Sequence, residues 1–415
     1  MSTEKTMEQK TGSPLVSIVL VAFNHLDYTR LCINSLLRYT SQINYELILV
    51  NNGSSDETEE YFRNIPDAVK LTFPKNVGAA RAVNFGFHLA NGRYTLFLSS
   101  DLVLTYHWLD NLLTCIESDE RIGMVVPVCG ASSNNQQVNL NYQSLEEMQR
   151  MAIEYNASNP SLWEERMKLV AYTCLFRTAE LRQMGGFDED FSSGSYGDDA
   201  LSFRYRRAGY KLILAGDTYV HHFGSVTLNP ENAKNNLGQG NLDHFLSKFG
   251  IDPWQAAFID FNILYLLEIG EKPDADILGV GKTCGSTVLQ AKNVCRSRGG
   301  KNVRIYYLSE HEENMTDLKT ICDSCVSADT HEVSKYFGGR LYDYIIVESD
   351  TARMEQPESF FRDLSGLLKP EGQLVCTAKN KDVYERIHRE LVQSGLIRTK
   401  KLWNFYYCFQ KPLPG

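Results

Sequence analysis

The sequence predicts an α/β protein built from two successive doubly wound domains. Three observations carry this. Short apolar runs suited to buried parallel strands alternate with segments whose apolar residues recur at helical spacing. The alternation starts afresh after a break near Leu267. Polar residues, among them Asn24, Asn51, Asn52 and Asp101, fall at the ends of the apolar runs, where open sheets of this class bind ligands.

Val16 to Phe23 (VSIVLVAF) is a continuous apolar run and reads as the first strand; Tyr28 to Leu37 then repeats Leu31, Ile33, Leu36 and Leu37 near helical spacing. Tyr45 to Val50 gives a second strand, followed by the turn Asn52-Gly53-Ser54-Ser55-Asp56, whose Ser or Asp can cap the acidic helix behind it. Leu71 to Phe73 reads as a short third strand, Ala79 to Leu89 as a helix, and Tyr94 to Leu98 as a fourth strand ending in Ser99-Ser100-Asp101. Asn241 to Leu267 reads as helices broken near Gly250 and Pro253. The pattern then restarts with Asp276 to Gly285, a helix to about Arg298, strands at Val303 to Leu308, Tyr342 to Val347 and Leu367 to Val375, and a final pair near Ile397 to Trp403 and Asn404 to Gln410. These boundaries divide the chain into a disordered polar tail (1–13), a first domain (14–240), a helical connector (241–272) and a second domain (273–415).

A chain of 415 residues with 43% hydrophobic content has enough material for two cores. Its formal charge of −9 argues against a nucleic acid as main partner, since neutralising a polyanion needs clustered Lys and Arg. No apolar run approaches membrane-spanning length, and Met1 to Ser13 lacks the apolar centre of a signal peptide. The ten cysteines show no dense spacing framework and read as reduced thiols of a cytoplasmic protein. Cys322-Asp323-Ser324-Cys325 is a CxxC that, with Cys284, Cys295 and His331, has the residues for a zinc site or redox pair. The second closely spaced ligand pair is missing, which favours two thiols on a helix face.

The chemistry concentrates in Gly185 to Phe191 (GGFDEDF), Gly197-Asp198-Asp199 at a helix start, and Asp217 to Ser225, which brings His221 and His222 to the end of an apolar strand. Carboxylates beside a metal-binding histidine point to group transfer with one acid as base. Neighbouring residues on a strand face opposite ways, so only one of the two histidines can serve the site, His222 before His221.

Read in order, SIVLVAFN, ELILVNNGSSDET, NVGAARAVNFGF, YTLFLSSD, GGFDEDF, GDDALSFRYRRAGY and VHHFGS resemble a family 2 glycosyltransferase with the GT-A nucleotide-diphospho-sugar transferase fold, from about Leu15 to Thr227. The resemblance implies a nucleotide-diphosphate sugar donor. Phe23 and Asn24 would line its base pocket, and Asn51 stands where relatives carry an Asp that accepts the uracil N3 proton. The Asn amide can accept that proton through oxygen or donate through nitrogen, so uridine, thymidine and guanosine donors all stay open. Asn52, Asp56, Asn76, Gly78 and Arg81, carried in the same motifs, would complete the donor site. Ser99-Ser100-Asp101 takes the place of the DXD motif, with Asp101 and His222 as ligands of a divalent cation, Mn or Mg.

Asp198 matches the catalytic base and Asp199 is the fallback; inversion of configuration follows from direct attack by the acceptor hydroxyl. Asp188 and Glu189 would shape the acceptor loop, and Cys129 to Tyr142 reads as a polar acceptor-side loop. Long-polymer relatives carry transmembrane helices and a QxxRW motif, and neither occurs here, which implies transfer of a single sugar. A surface glycan, a lipid-linked oligosaccharide and a protein side chain are all compatible acceptors, and the resemblance leans to surface glycan or glycoprotein biosynthesis.

The second half is similar to an S-adenosylmethionine-dependent methyltransferase, a Rossmann-like fold, including LLKPEGQLV and the final strand pair. Its cofactor motif is damaged. Gly279 stands for the acid before the first glycine, Thr283 for the middle glycine, and Ser309 for the ribose-binding acid, with Glu310 one position late. S-adenosylmethionine is therefore not expected to bind, and the domain reads as a docking module for a complex partner or membrane surface. A bifunctional glycosyl- and methyltransferase and a non-catalytic nucleotide-sugar-binding protein are the alternatives. A nucleotidyltransferase would need a basic glycine-rich loop where Asn24-His25-Leu26-Asp27 stands.

Overall fold

The computed structural model describes residues 13–191, 196–224 and 237–413, apart from 350, 352, 353, 355, 379 and 404. The tail expected over 1–13, save Ser13, and the motif end at Ser225 to Thr227 lie outside these residues. The chain divides into two compact units, one formed by 1–160, 169–205 and 210–241, the other by 161–168, 206–209 and 242–415.

The first unit contains strands β1 (Val16–Ala22), β2 (Tyr45–Asn51), β3 (Ala68–Thr72), β4 (Tyr94–Ser99), β5 (Leu102–Val103), β6 (Ile122–Cys129), β8 (Thr173–Arg177) and β9 (Lys211–His222), while β7 (Trp163–Arg166) belongs to the second unit. The eight run in the order β3-β2-β1-β4-β8-β6-β9-β5. β1 lies parallel to both β2 and β4, and β2 parallel to β3. β8 is antiparallel to β4 and β6, so the sheet is mixed. β1 is buried at every position but Val21, as a strand with neighbours on both sides requires.

Helices α1 (Leu26–Tyr39), α2 (Thr58–Arg63), α3 (Ala79–Leu89), α4 (Trp108–Glu117), α5 (Leu145–Tyr155) and α6 (Thr178–Met184) belong to this unit, and α7 (Gly197–Arg207) starts in it. The third strand lies earlier than Leu71 to Phe73. It is an edge strand, paired only with β2 and half exposed, so its apolar pattern is weak. The sheet grows outward from β1 through β2 and β3, then reverses to β4 on the other flank. The carboxyl ends of β1, β2 and β4 thus meet at a topological switch point.

The second unit takes in most of α8 (Leu237–Phe249), then α9 (Pro253–Ala256), α10 (Phe261–Leu266) and α11 (Ser286–Ser297). Short helices α12 (Met315–Leu318) and α13 (Val333–Phe337) and longer α14 (Pro357–Gly366) and α15 (Lys381–Gln393) follow. Its strands β10 (Asp274–Gly281), β11 (Asn302–Ser309), β12 (Ser324–Ser327), β13 (Tyr342–Val347), β14 (Leu368–Thr377), β15 (Ile397–Leu402) and β16 (Tyr406–Gln410) lie in the order β12-β11-β10-β13-β14-β16-β15. The first five are parallel, and β16 is antiparallel to both its neighbours. The stretch expected as a connector packs on this sheet. Gln373 of β14 pairs with the backbone of Glu268 through both amide atoms, each at 2.8 Å, and Tyr406 Oη donates to Asp260 at 2.9 Å. All ten cysteines are free thiols. No described helix is long and apolar enough to cross a membrane.

Candidate active site

The turn after β1 and the turn after β2 are built against each other. Asn24 and His25 both adopt positive φ, which Asn tolerates better than most residues. The Asn24 amide donates to Ser54 Oγ at 2.8 Å, while Asn24 Oδ1 accepts from the Ser55 amide at 2.8 Å. Asp56, expected at the donor, ties down the starts of two helices. One oxygen accepts from Leu26 N at the start of α1 (3.1 Å), the other from Thr58 N and Oγ1 at the start of α2 (3.2 and 2.6 Å). Burial would raise its carboxyl, but these bonds outweigh it and hold it below the ordinary range. Phe23 is partly buried beside this knot.

Asn51 ends β2 and is buried. Its Oδ1 is committed to the Ser54 amide at 2.9 Å, and its Nδ2 is buried without a partner. Of the two roles the sequence leaves open for this amide, the free atom is the donor. Asn52 ties the turn to the next loop: its Oδ1 accepts from Val77 N at 3.0 Å and its Nδ2 donates to Asn76 Oδ1 at 3.2 Å, which also accepts from Gly78 N at 2.8 Å. Between them Gly53 has φ +75°, and a Cβ there would stand 2.2 Å from the Lys75 carbonyl carbon, so glycine is required. Asn52, Asn76 and Gly78 build this wall with their mutual bonds.

At the end of β4, Ser99, Ser100 and Asp101 enter a tight turn into β5. Asp101 does not cap α4: the N-cap position is His107, without a side-chain bond. Asp101 is buried and its oxygens are divided. Ser99 Oγ donates to Oδ1 at 2.5 Å, and His222 Nε2 lies 3.4 Å from Oδ2. β5 pairs antiparallel with the end of β9, Leu102 opposite His222 and Val103 opposite His221, which fixes the histidine register. The two rings part as the strand pleat demands. His222 turns to Asp101 and stacks on Tyr172, centroids 5.4 Å apart, while His221 meets Tyr142 Oη through Nδ1.

Electrostatics separate the pair further. Burial alone would lower His222, yet hydrogen bonds to Asp101 and Cys129, the Asp101 charge and the Ala131 carbonyl raise it to about 10. Burial lowers His221, with repulsion from His222 adding to it. Burial would raise Asp101, and its bonds to His222 and Ser99 hold it low. Ser99, Asp101 and His222 thus form one contiguous group.

Asp198 stands in the first turn of α7, partly exposed, and its Oδ2 accepts from Ala171 N at 3.2 Å. The next residue, Tyr172, accepts from Ser99 N through its carbonyl at 3.0 Å. The candidate base and the Asp101 group are therefore joined through a two-residue hinge in the chain. Asp199 is buried. Arg81, exposed on α3, lies 3.9 Å from Glu189.

Asn84, one turn along α3, was not visible as a site residue: its Nδ2 donates to Phe187 O (2.8 Å) and Glu189 Oε1 (3.0 Å), and its Oδ1 accepts from Phe187 N (2.8 Å). Arg204 adds bonds to the carbonyls of Met184 and Gly186, both at 2.5 Å. The only sequence signal was the recurrence of Asn and Arg inside two motifs far apart in the chain.

The polar segment Cys129 to Tyr142 is pinned. The Ala131 carbonyl faces His222 Nδ1 at 2.6 Å, and Tyr142 Oη meets Tyr219 Oη at 2.8 Å. In the second unit, Cys325 lies in β12 and Cys322 just before it, so neither thiol is on a helix face. The hydrogen bond from Cys322, together with Lys319, holds Cys325 down at about 7. Among the described residues no group of three metal-ligating side chains includes either cysteine.

Residues 17–178 match the family described as Glycosyl transferase family 2. This segment is a glycosyltransferase family 2 domain. An uncharacterized glycosyltransferase of Rickettsia typhi is 39% identical over 95 residues, 23% of this chain and 30% of the relative. The O-antigen biosynthesis protein RfbC of Myxococcus xanthus is 26% identical over 258 residues, 59% of this chain and 19% of RfbC. The chain thus spans less than a third of either relative's length. Among solved structures, the mannosyltransferase PcManGT from Pyrobaculum calidifontis, in complex with GDP-Man and Mn2+, aligns with TM-score 0.42 at 17% identity, over 59% of this chain and 68% of that one.

Proposed function

We propose that the first unit is an inverting, non-processive glycosyltransferase of GT-A type, acting in the cytoplasm and moving one sugar from a nucleotide-diphosphate donor to a hydroxyl acceptor. The observation that carries the reading is the assembly of Ser99, Asp101 and His222 at one corner of the sheet. A divalent cation, Mn or Mg, fits this donor set. The imidazole has turned Nδ1 to a carbonyl, so Nε2 would serve the cation once the cation displaces its proton, the carboxylate is beside it, and a diphosphate would supply further oxygens. When bound, the cation neutralises charge on the departing nucleoside diphosphate.

The chain's own groups account for the rest. Asp198, with one oxygen held by the Ala171 amide, accepts the proton of the acceptor hydroxyl as that oxygen attacks the anomeric carbon opposite the leaving group. Inversion is the consequence. Asp199 is buried and less suited to meet an acceptor. The free donor at Asn51 matches a base with a ring carbonyl, which uracil, thymine and guanine all have. The name of the Myxococcus relative supports a surface glycan as the product class.

The strand order of the second unit, five parallel strands and an antiparallel end, supports a methyltransferase-like reading. S-adenosylmethionine does not fit its glycine-rich turn. The Tyr307 ring lies over Gly279, where a Cβ would come within 2.4 Å of it, and Tyr307 Oη donates to Glu348 at 2.8 Å. Thr283 Oγ1 closes the group by donating to Glu348 at 3.0 Å. This favours a partner-binding role without methyl transfer.

The test is thermal stabilisation of the full chain by UDP, GDP and dTDP, each with and without Mn, in the wild type and in Asp101→Ala. Metal-dependent stabilisation by one nucleotide that vanishes in the variant is the expected result. Transfer from the matching nucleotide sugar then separates an enzyme from a binding protein.

A further inference from the structure

Gln136 is fully buried in the loop between β6 and α5. Its side chain pairs with one backbone unit as a neighbouring strand would. Nε2 donates to Val170 O at 3.0 Å, and Oε1 accepts from Val170 N at 2.7 Å and from Asn134 Nδ2 at 3.1 Å. Two donors facing Oε1 and a carbonyl facing Nε2 fix the amide orientation. The Gln136 carbonyl in turn accepts from Cys129 N at 3.1 Å, anchoring the loop to the end of β6.

Val170 leads directly into the hinge of the site. Ala171 donates to Asp198, and Tyr172 receives the Ser99 amide through its carbonyl and stacks on His222 with its ring. Five residues before Gln136, the Ala131 carbonyl holds His222 Nδ1. The segment 131–136 therefore grips the histidine at one end and the anchor of Asp198 at the other. An apolar side chain of similar size would fill the space. What the amide adds is direction, since a buried amide is tolerated only when its bonds are made.

We infer that Gln136 is a positioning residue for the transfer reaction, setting where Asp198 stands relative to Asp101 and His222; the inference rests on the glycosyltransferase reading. A displacement of about 1 Å between a base and its reaction partner can reduce rate by roughly 100-fold. The loops that would hold the nucleotide base are built by separate contacts around Asn24 and Asn52. His222 is held by the Ala131 carbonyl itself, five residues away from the amide, so loss of the Gln136–Val170 pair alone should act on the anchor of Asp198 and spare donor binding.

The experiment compares full-length wild type, Gln136→Leu and Gln136→Glu with Mn and the nucleotide sugar whose nucleotide stabilises the protein. In Gln136→Leu, kcat should fall roughly 10- to 100-fold while donor KM and nucleotide-induced stabilisation stay within about twofold. In Gln136→Glu, an oxygen remains for Val170 N but the donor to Val170 O is lost while the carboxyl is ionised. Its deficit relative to wild type should shrink as pH falls from about 8 to about 6, because a protonated carboxyl regains that donor. Variants with kcat within about twofold of wild type overturn the inference, as does a loss in which kcat and donor KM worsen together. Should Gln136→Leu fail to fold, the pH-dependent deficit of Gln136→Glu decides alone. A folded wild type that neither transfers nor hydrolyses any nucleotide sugar overturns the transferase reading itself, and this inference with it.

Discussion

His222 presents Nε2 to the Asp101 carboxylate at 3.4 Å, and its opposite ring nitrogen lies 2.6 Å from the Ala131 carbonyl. A carbonyl can only accept, so Nδ1 carries a proton, and Nε2, which faces Asp101, is the nitrogen that would meet a cation once its own proton has left. The second Asp101 oxygen is oriented by Ser99 at 2.5 Å. His222→Ala and Asp101→Ala should each weaken Mn-dependent nucleotide binding by roughly 10- to 100-fold, and Ser99→Ala by less, since it only orients the acid. Titration of the nucleotide at fixed Mn measures this. Equal affinity in His222→Ala would remove the histidine from the site.

Asp198 and Asp199 are adjacent in sequence but differ in setting. Asp198 is partly exposed and bonded to Ala171 N, whereas Asp199 is buried. Asp198→Asn should lower kcat by roughly 10²- to 10⁴-fold and leave nucleotide-induced stabilisation intact. Asp199→Asn should act mainly on the melting temperature. The reverse pattern would assign the base to Asp199.

Asn84 satisfies both backbone groups of Phe187, across 103 positions in the chain. Asn84→Ala leaves a buried N–H and C=O without partners, at a cost of roughly 2 kcal/mol, and should lower the melting temperature by about 4–8 °C. It should also loosen the loop bearing Asp188 and Glu189, read as faster amide exchange at Phe187 to Asp190. Unchanged exchange would show that Arg204 holds the loop alone.

Strands buried on both faces were legible because their apolar runs are continuous: Val16 to Phe23 and Tyr342 to Val347 lie within a residue of β1 and β13. Asp101 and His222 were legible as separate residues from their motifs, and the strand pleat said that only one histidine would turn inward. The joints were not legible. Gln136, Asn84 and Tyr172 act through backbone groups 34, 103 and 73 positions away, and a backbone amide leaves no trace in a sequence pattern. β6 also went unseen, because its apolar run is interrupted by Gly123 and Pro127 although all eight residues are buried.

In the second unit, Tyr307, Thr283 and Glu348 bond to one another at the turn after β10, which on the proposed methyltransferase-like reading is where an adenosyl cofactor would lie. S-adenosylhomocysteine at millimolar concentration should therefore leave the unfolding transition of the full chain in place. A shift of several degrees that Thr283→Val abolishes would show that the cradle opens, and would restore the bifunctional reading.

Glu348 makes the same cluster sensitive to pH. Burial raises its carboxyl above the ordinary glutamate range, and the bonds from Thr287, Tyr307 and Thr283 offset this only in part. With the folded value above the unfolded one, its contribution to stability is fully present below about pH 4.3 and is lost as pH rises through the folded value. Ionisation at neutral pH therefore works against the fold. Glu348→Gln keeps an acceptor oxygen for Tyr307 and Thr283 but never ionises. The variant should unfold at higher denaturant than wild type at pH 7 to 8, and the gap should close as pH falls toward about 4.5. Comparing the two proteins cancels the opposite trend from Asp343, whose carboxyl is held low by Lys369 and the Asp276 amide against its burial. A gap that is constant with pH would mean that Glu348 is charged in the folded protein at no cost, and that the cluster around Tyr307 is open to water.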